Sequence, residues 1–462
     1  MSKLKFHNTL TIKEEEFKPI NKKLVTIYSC GPTVYSNQHI GNMRTMLLTD
    51  ILIRTLKYNK HLVKHVINYT DVGHLTSDSD IGEDKIEKAA KETGLTVKEI
   101  ATKYIKRFEE DIEKLNIKFG KRLKATDHIP EQINLIKKLE EKNYTYKTLD
   151  GIYFNTKKFK KYGELSGFGK IKRQAGKRIA LKDKKNITDF ALWKFSLNTK
   201  RQQEWSSPYG IGFPGWHLEC SAMSMKHLGT TIDIHTGGQD LSQVHHNNEI
   251  AQSEAATEKK FVNYWLHGGF LLFNNQKVSK SSGGLYTISE LEKLNFSPLH
   301  FRYLCLLTHY RKPLNFTLEN LDSAKKSFER IKRKSIEIKS QTDKGKDLTQ
   351  LYKNKFHKAI NDDLNIPQAI QVFLKALDDF NFDPKKKLPL LFNFDKILGL
   401  KIKNIQQETQ ISLPQKVQKL IQSRERFRKN KLFKEADIVR QRIKDIGFIV
   451  EDTPKGPKLT KI

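Results

Sequence analysis

The sequence predicts an α/β fold: a parallel-sheet core in two halves, interrupted by an inserted α+β segment and followed by a long helical region. Three observations carry this. Short apolar, β-branched stretches such as Leu24–Tyr28 and Leu62–Tyr69 end in glycine or polar turns, and helical spacing resumes after them, which is the pattern of βα units. The stretch from about Lys121 to Gly212 differs from its flanks, mixing one helix (Glu131–Glu141) with glycine- and lysine-rich strands such as Gly151–Phe154. Beyond Pro313 the chain reads as helix, rich in Lys and Arg. At 462 residues it is too long for one core, and roughly two to four domains are expected.

Composition narrows the classes. Hydrophobic residues make up 37% and charged residues 29%, which excludes a disordered chain. No apolar run reaches the roughly 18 residues of a membrane span, and Met1–His7 lacks the apolar core of an export signal, so a cytoplasmic location and no membrane partner are expected. Lys and Arg outnumber Asp and Glu by 84 to 52, a formal charge of +32, which points to a polyanionic partner, nucleic acid first. A lysine-rich proteome would give part of the same excess. The three cysteines, Cys30, Cys220 and Cys305, are too few and too scattered for a disulfide framework.

In chain order, Leu24–Tyr28 reads as a buried strand stopped by Gly31-Pro32, and apolar residues from Ile40 (Met43, Leu47, Leu48, Ile51, Leu52) start a helix near Gly41. A strand, a tight turn and a helix N-terminus in that order can hold a phosphate, because free N–H groups and the positive end of the dipole face the anion. His39 and Asn42 sit at that start as hydrogen-bond donors; an ordinary βα unit with a surface histidine would look the same. Leu62–Tyr69 is the second strand and ends in Asn68-Tyr69-Thr70-Asp71, polar residues where open α/β sheets bind ligands. Gly82–Leu115 reads as one helix. The core resumes at Phe213–Met223, with a strand at Thr231–His235, a helix start at His245 and a strand at Tyr264–His267. Gln276–Gly284 is a basic loop.

Cys30-Gly31-Pro32-Thr33-Val34-Tyr35 followed by His39-Ile40-Gly41-Asn42 resembles the first signature of the cysteinyl-tRNA synthetases, class I enzymes with a Rossmann-like core. The fourth position is His in the wider class and Asn42 here. Lys277-Val278-Ser279-Lys280-Ser281 resembles the second signature, with Val where Met is usual. Tyr310–Phe316, Leu364–Pro367, Glu435–Arg440 and Glu451–Gly456 resemble later family segments. The resemblance implies a division into 1–122 and 213–265 as the halves of the catalytic core, with 123–212 as the connective insert. It places a stem-contact region with the KMSKS-like loop at 266–318, a helical anticodon-binding bundle at 319–404 and a small anticodon-recognition domain at 405–462.

His245 and Glu249 are four apart, so on a helix they can share one ion, and two cysteines could complete a set soft enough to exclude Mg²⁺ and Ca²⁺. Spacing alone does not choose His245 over His246 or His235. The resemblance does: it places one Zn²⁺ on Cys30, Cys220, His245 and Glu249, and leaves Cys305 as a core residue. It further implies that Gly31, Thr70, Trp216 and Asp240 line the amino-acid pocket. A cysteine thiolate binds zinc where a serine hydroxyl does so weakly, which gives discrimination without editing. The helix departs from the family's usual Phe-Pro-His-His-Glu-Asn-Glu, with Asn247 in place of a Glu.

For the nucleotide, the resemblance places ATP, with Mg²⁺, between His39 and Asn42 on one side and Lys277, Ser279, Lys280 and Ser281 on the other. The two lysines would stabilise phosphate charge. The implied activity is activation of L-cysteine as its adenylate and transfer to the terminal adenosine of tRNA(Cys), by a monomer. One rival is a cysteine:amino-sugar ligase with the same adenylate chemistry; the long stretch after Phe316 argues against it, since that family lacks a full anticodon-binding region. The other is a non-catalytic zinc protein that binds RNA, which retention of both nucleotide signatures disfavours.

Overall fold

The computed structural model describes residues 2–77, 81–166, 184–196, 201–273, 276–277, 286–339, 341, 345–404, 414–453 and 456–461. The chain divides into two compact units, Met1–Ile402 and Lys403–Ile462. The centre of the first unit is a five-stranded parallel sheet. Its strands are β1 (Leu24–Ser29), β2 (Leu62–Tyr69), β3 (Lys121–Lys124), β4 (Ile232–Gly238) and β5 (Val262–Gly268), in the spatial order β5-β4-β1-β2-β3. This is a doubly wound order, and it reverses direction between β1 and β4. Side chains alternate along β1, so Val25 and Ile27 pack with Leu48, Leu52 and Leu56 of helix α1 (Ile40–Tyr58) on one face. Tyr28 packs on the other with Met223 of helix α2 (Trp216–Leu228), Phe261 and Trp265. Both faces are covered, which is why these strands read as near-continuous apolar runs. Helix α3 (His245–Thr257) follows β4 and packs against α2.

Between β3 and α2 the chain forms a four-stranded antiparallel sheet from Thr145–Lys147, Gly151–Phe154, Phe190–Phe195 and Gly212–Pro214, backed by the helix Ile129–Glu141. After β5 come the helices Pro298–Leu306, Leu318–Lys339, Thr349–Asn361, Ile366–Asp378 and Pro384–Leu398. A buried charge cluster fixes the last of these to the core. Asp50 of α1 accepts from Arg54 (2.8 Å) and Arg302 (2.6 Å), and the same guanidiniums donate to the carbonyls of Lys396 and Leu398. The second unit holds the helices Gln415–Lys429 and Phe433–Asp445 and the hairpin Phe448–Thr453/Gly456–Lys461, around Val417, Val439, Ile443, Phe448 and Val450.

The single helix expected over Gly82–Leu115 is instead a strand (Ile81–Asp84) and two helices, Lys85–Thr93 and Val97–Lys114. Asp84 caps the first, Gly94 ends it at φ +70°, and Thr96 with Glu99 forms a capping box that starts the second. The apolar period runs on through the break because Ile86, Ala90, Val97 and Ile100 fill one cluster. The terminal region is not wholly helical either, since it ends in the hairpin.

Candidate metal centre and nucleotide site

The sheet delivers its ligand-bearing residues to one edge. Cys30 follows β1, Thr70 follows β2, Asp240 lies in the turn after β4, and α2 and α3 begin there. The turn after β1 is tight: a Cβ on Gly31 would lie 1.7 Å from the Asn68 carbonyl oxygen, so only glycine fits, and the Gly31 N–H donates to Asn68 Oδ1 (2.8 Å).

Cys30, Cys220, His245 and Glu249 converge there, all buried, with one donor atom from each within 4.8 Å of the others. Cys30 Sγ lies 3.9 Å from Cys220 Sγ and 3.7 Å from Glu249 Oε1, and His245 Nε2 lies 3.1 Å from the same oxygen. A second set overlaps it, because His246 Nε2 lies 3.3 Å from Cys30 Sγ and His235 Nε2 lies 3.0 Å from Glu249 Oε2. The three histidines that sequence spacing left undistinguished therefore all reach the cluster. His245 stands with the two thiols, and His235 and His246 stand behind Glu249 and Cys30.

The electrostatics suit a cation. Burial pushes the Cys220 thiol up, but the hydrogen bond from Cys30 and the bond to His245 outweigh it and bring the thiol down to about 6. Burial opposes charge on His245 too, yet its bonds to Cys220 and Glu249 lift it to about 10. His235 and His245 together overcome burial at Glu249 and hold its carboxyl down at about 2. The anions thus hold a proton on His245. A metal ion can take that place, releasing the proton, and a set of two sulfurs, one nitrogen and one carboxylate oxygen fits a soft divalent ion.

Partners behind the cluster are specific. His217 Nδ1 lies 2.8 Å from His245 Nδ1, and the His217 carbonyl accepts from Gln252 (2.5 Å). His246 Nδ1 meets His267 Nε2 (2.7 Å), whose Nδ1 meets Thr9 Oγ1 (2.8 Å); burial holds His267 at about 3, so this string is neutral. Trp216 lies between two rings, stacked on His74 at 4.1 Å and tilted over His245 at 4.4 Å. Thr70 is buried, and its hydroxyl donates a short bond to Glu219 Oε1. Asp240 is exposed. Asn247, the departure from the family pattern, donates to the carbonyls of Ser242 and Gln243 and so closes the turn into α3. Sequence reasoning missed Glu219, His267 and Thr9; only the placing of Glu219 directly before Cys220 could have drawn attention to it.

At the start of α1, His39 is the N-cap and its Nδ1 accepts from the Asn42 N–H (3.3 Å), which leaves the ring proton on Nε2. Asn42 Nδ2 donates to Gln38 Oε1 (2.5 Å). Lys277 pairs through its backbone with Leu272, in a two-residue strand beside Leu271–Phe273, and the Ile40 N–H donates to the Tyr286 carbonyl (2.8 Å). Ser279, Lys280 and Ser281 lie outside the described residues.

A doubly wound parallel sheet whose first strand leads through a thiol–imidazole cluster into a helix N-terminus is the core of a class I aminoacyl-tRNA synthetase. Solved structures share the fold. The methionyl-tRNA synthetase of Mycobacterium tuberculosis, bound by methionyl-adenylate, aligns with TM-score 0.58 at 11% identity over 83% of this chain and 93% of that one. The LeuRS–tRNA–LeuAMS ternary complex of Agrobacterium radiobacter K84 agnB2 aligns with TM-score 0.61 at 10% identity over 85% and 86%. Residues 16–326 match the family described as tRNA synthetases class I (C) catalytic domain. Cysteine–tRNA ligase 1 of Burkholderia lata is 44% identical over 99% of this chain and 96% of its own, and the cysteine–tRNA ligase of Treponema denticola is 41% identical over 97% and 98%. The chain belongs to the cysteine–tRNA ligase family. Among the described residues no helix is long and apolar enough to cross a membrane.

Proposed function

We propose that this chain activates L-cysteine with ATP and transfers it to the terminal adenosine of tRNA(Cys), acting as a cytoplasmic monomer. The observation that carries the reading is the convergence of Cys30, Cys220, His245 and Glu249 beside Trp216 and Thr70, with Cys30 on the segment that leads from β1 into α1. These four would hold one Zn²⁺, which when bound supplies a thiophilic Lewis acid that takes a substrate thiolate and discriminates against a hydroxyl. Gly31, Thr70, Trp216 and Asp240 would enclose the rest of the amino acid. In the first step a carboxylate oxygen of cysteine attacks the α-phosphorus of ATP, the bond to the bridging oxygen breaks, and pyrophosphate leaves. His39 and Asn42 would hold the phosphates at the helix start, while Lys277 and Lys280, with Ser279 and Ser281, would balance the charge that builds on them. In the second step a ribose hydroxyl of the terminal adenosine attacks the carbonyl carbon and AMP leaves.

In this reading 1–122 and 213–265 form the catalytic core, 123–212 the connective insert, 266–318 the stem-contact region, and 319–404 and 405–462 the RNA-binding parts. Transfer of labelled cysteine to total tRNA, run beside serine and a zinc-chelated sample, tests it. Acid-precipitable label from cysteine alone, lost on chelation, is expected. Cysteine-dependent pyrophosphate exchange without transfer to tRNA would replace this reading with the amino-sugar ligase.

A further inference from the structure

We propose that Glu219 is the acceptor for the α-ammonium of the amino-acid substrate, so that one wall of the pocket selects sulfur and another selects an α-amino acid. This rests on the cysteine-ligase reading above. Glu219 is 2% exposed, on the first turn of α2. Its Oε1 takes the Thr70 hydroxyl and, at 3.4 Å, the Asn68 amide. Its Oε2 is buried and has no partner among the described residues. A buried carboxylate oxygen left without a donor is costly and calls for an explanation, and a cationic N–H donor entering with the substrate provides one.

Three neighbouring buried acids are already committed. Glu249 gives one oxygen to His245 and the other to His235. Asp71 holds the backbone N–H and hydroxyl of Thr126. Asp84 holds the N–H groups of Gly73 and Ile86 and lies 3.2 Å from Arg201. Of these four acids Glu219 is the one with an oxygen to spare. Its position also fits. Gly31, Asn68, Thr70 and Glu219 form one string of hydrogen bonds, and the string ends beside Cys30 and Cys220, the chain neighbours of Gly31 and Glu219. In cysteine the ammonium and thiol stand on adjacent carbons, so an acceptor for one must lie close to the acceptor for the other.

The test compares cysteine with 3-mercaptopropionate, which keeps the thiol and carboxylate but lacks the amine. Binding of each to the full-length, zinc-loaded protein is measured by calorimetry for the wild type and Glu219→Gln. Cysteine affinity is expected to fall at least about tenfold in the variant, the size expected when a hydrogen bond to a charged group is lost. Affinity for 3-mercaptopropionate and the zinc content should stay within about twofold. Unchanged cysteine affinity would overturn the proposal; parallel weakening of both ligands would reduce Glu219 to a support for Thr70 and overturn it equally. Should the variant not fold, the wild type alone decides: it must bind cysteine at least about tenfold tighter than 3-mercaptopropionate, and equal affinities would sink the assignment. Because binding is read without turnover, absence of cysteine-dependent pyrophosphate exchange in the wild type would count against the ligase reading and leave the Glu219 result standing.

Discussion

At the thiol cluster every donor is buried, and three of the four are backed by a further side chain: His245 by His217, Glu249 by His235, and Cys30 by His246, itself backed by His267. At the start of α1, His39 and Asn42 are half-exposed; Asn42 bonds to His39 and Gln38, His39 pairs through its backbone with Thr287, and the Ile40 N–H donates to the Tyr286 carbonyl. The two sites share one sheet edge, yet one is fixed by interlocking buried side chains and the other is half-exposed. Discrimination between a thiol and a hydroxyl needs donors already in place, because any relaxation would admit the wrong atom. Phosphate charge that develops during reaction needs compensating positive charge more than a closed cage.

The contrast can be broken or sharpened by substitution. Cys220→Ala removes one donor from an interlocked set, and is expected to lose the zinc and lower cysteine-dependent pyrophosphate exchange more than about 1,000-fold; metal analysis beside the exchange assay checks it. Lys280→Ala should lower exchange by about 100- to 1,000-fold while zinc content and tRNA binding stay as in the wild type. A fall in zinc there would show that the two sites are not independent. His217→Asn takes away only the support of His245 and is expected to weaken zinc binding about 10- to 100-fold, read by competition with a chelator. Asn42→Ala, at the half-exposed site, should raise the KM for ATP by about tenfold or less and leave the KM for cysteine unchanged.

The smallest effect concerns stability and lies under the sheet edge. His65 is fully enclosed, its Nδ1 accepts from the Gly120 N–H (3.0 Å) and its Nε2 lies 3.0 Å from Ser29 Oγ. Burial, with Lys57 and Arg122 nearby, lowers its pKa to about 3. A histidine that stays neutral in the fold but titrates near 6.5 when unfolded contributes stability that is complete above that value. This stability drains away as pH falls from about 6.5 towards 3, at up to about 1.4 kcal/mol per pH unit. Denaturation midpoints between pH 7 and 5 should fall more steeply for the wild type than for His65→Gln, and equal slopes would contradict the assignment.

What the sequence made legible follows from range. The strand–turn–helix at Leu24–Tyr58 is a local pattern, and so are the insert's hairpins and the helical region. The cluster is not local: Cys30 and Cys220 are brought together by the packing of α2 across β1 and β2, and spacing alone leaves His235, His245 and His246 equal until a family pattern chooses among them. The helix break at Gly94 was hidden because both helices feed one apolar cluster and keep its period. Charge was legible only in sum. Arg424, which counts in composition as part of a basic surface, is 1% exposed and paired with Glu425 and Asp452, while Arg330 and Lys334 share Asp378. Part of the cationic excess therefore holds the helices together rather than facing a polyanion.

The central claim is that the preformed cluster takes the substrate by its sulfur. The most direct measurement replaces the metal with Co²⁺ and follows the sulfur-to-cobalt charge-transfer absorption as cysteine, and separately serine, is added. A rise in intensity with cysteine and none with serine is the expected result. No change with cysteine, or the same change with both amino acids, would contradict the claim.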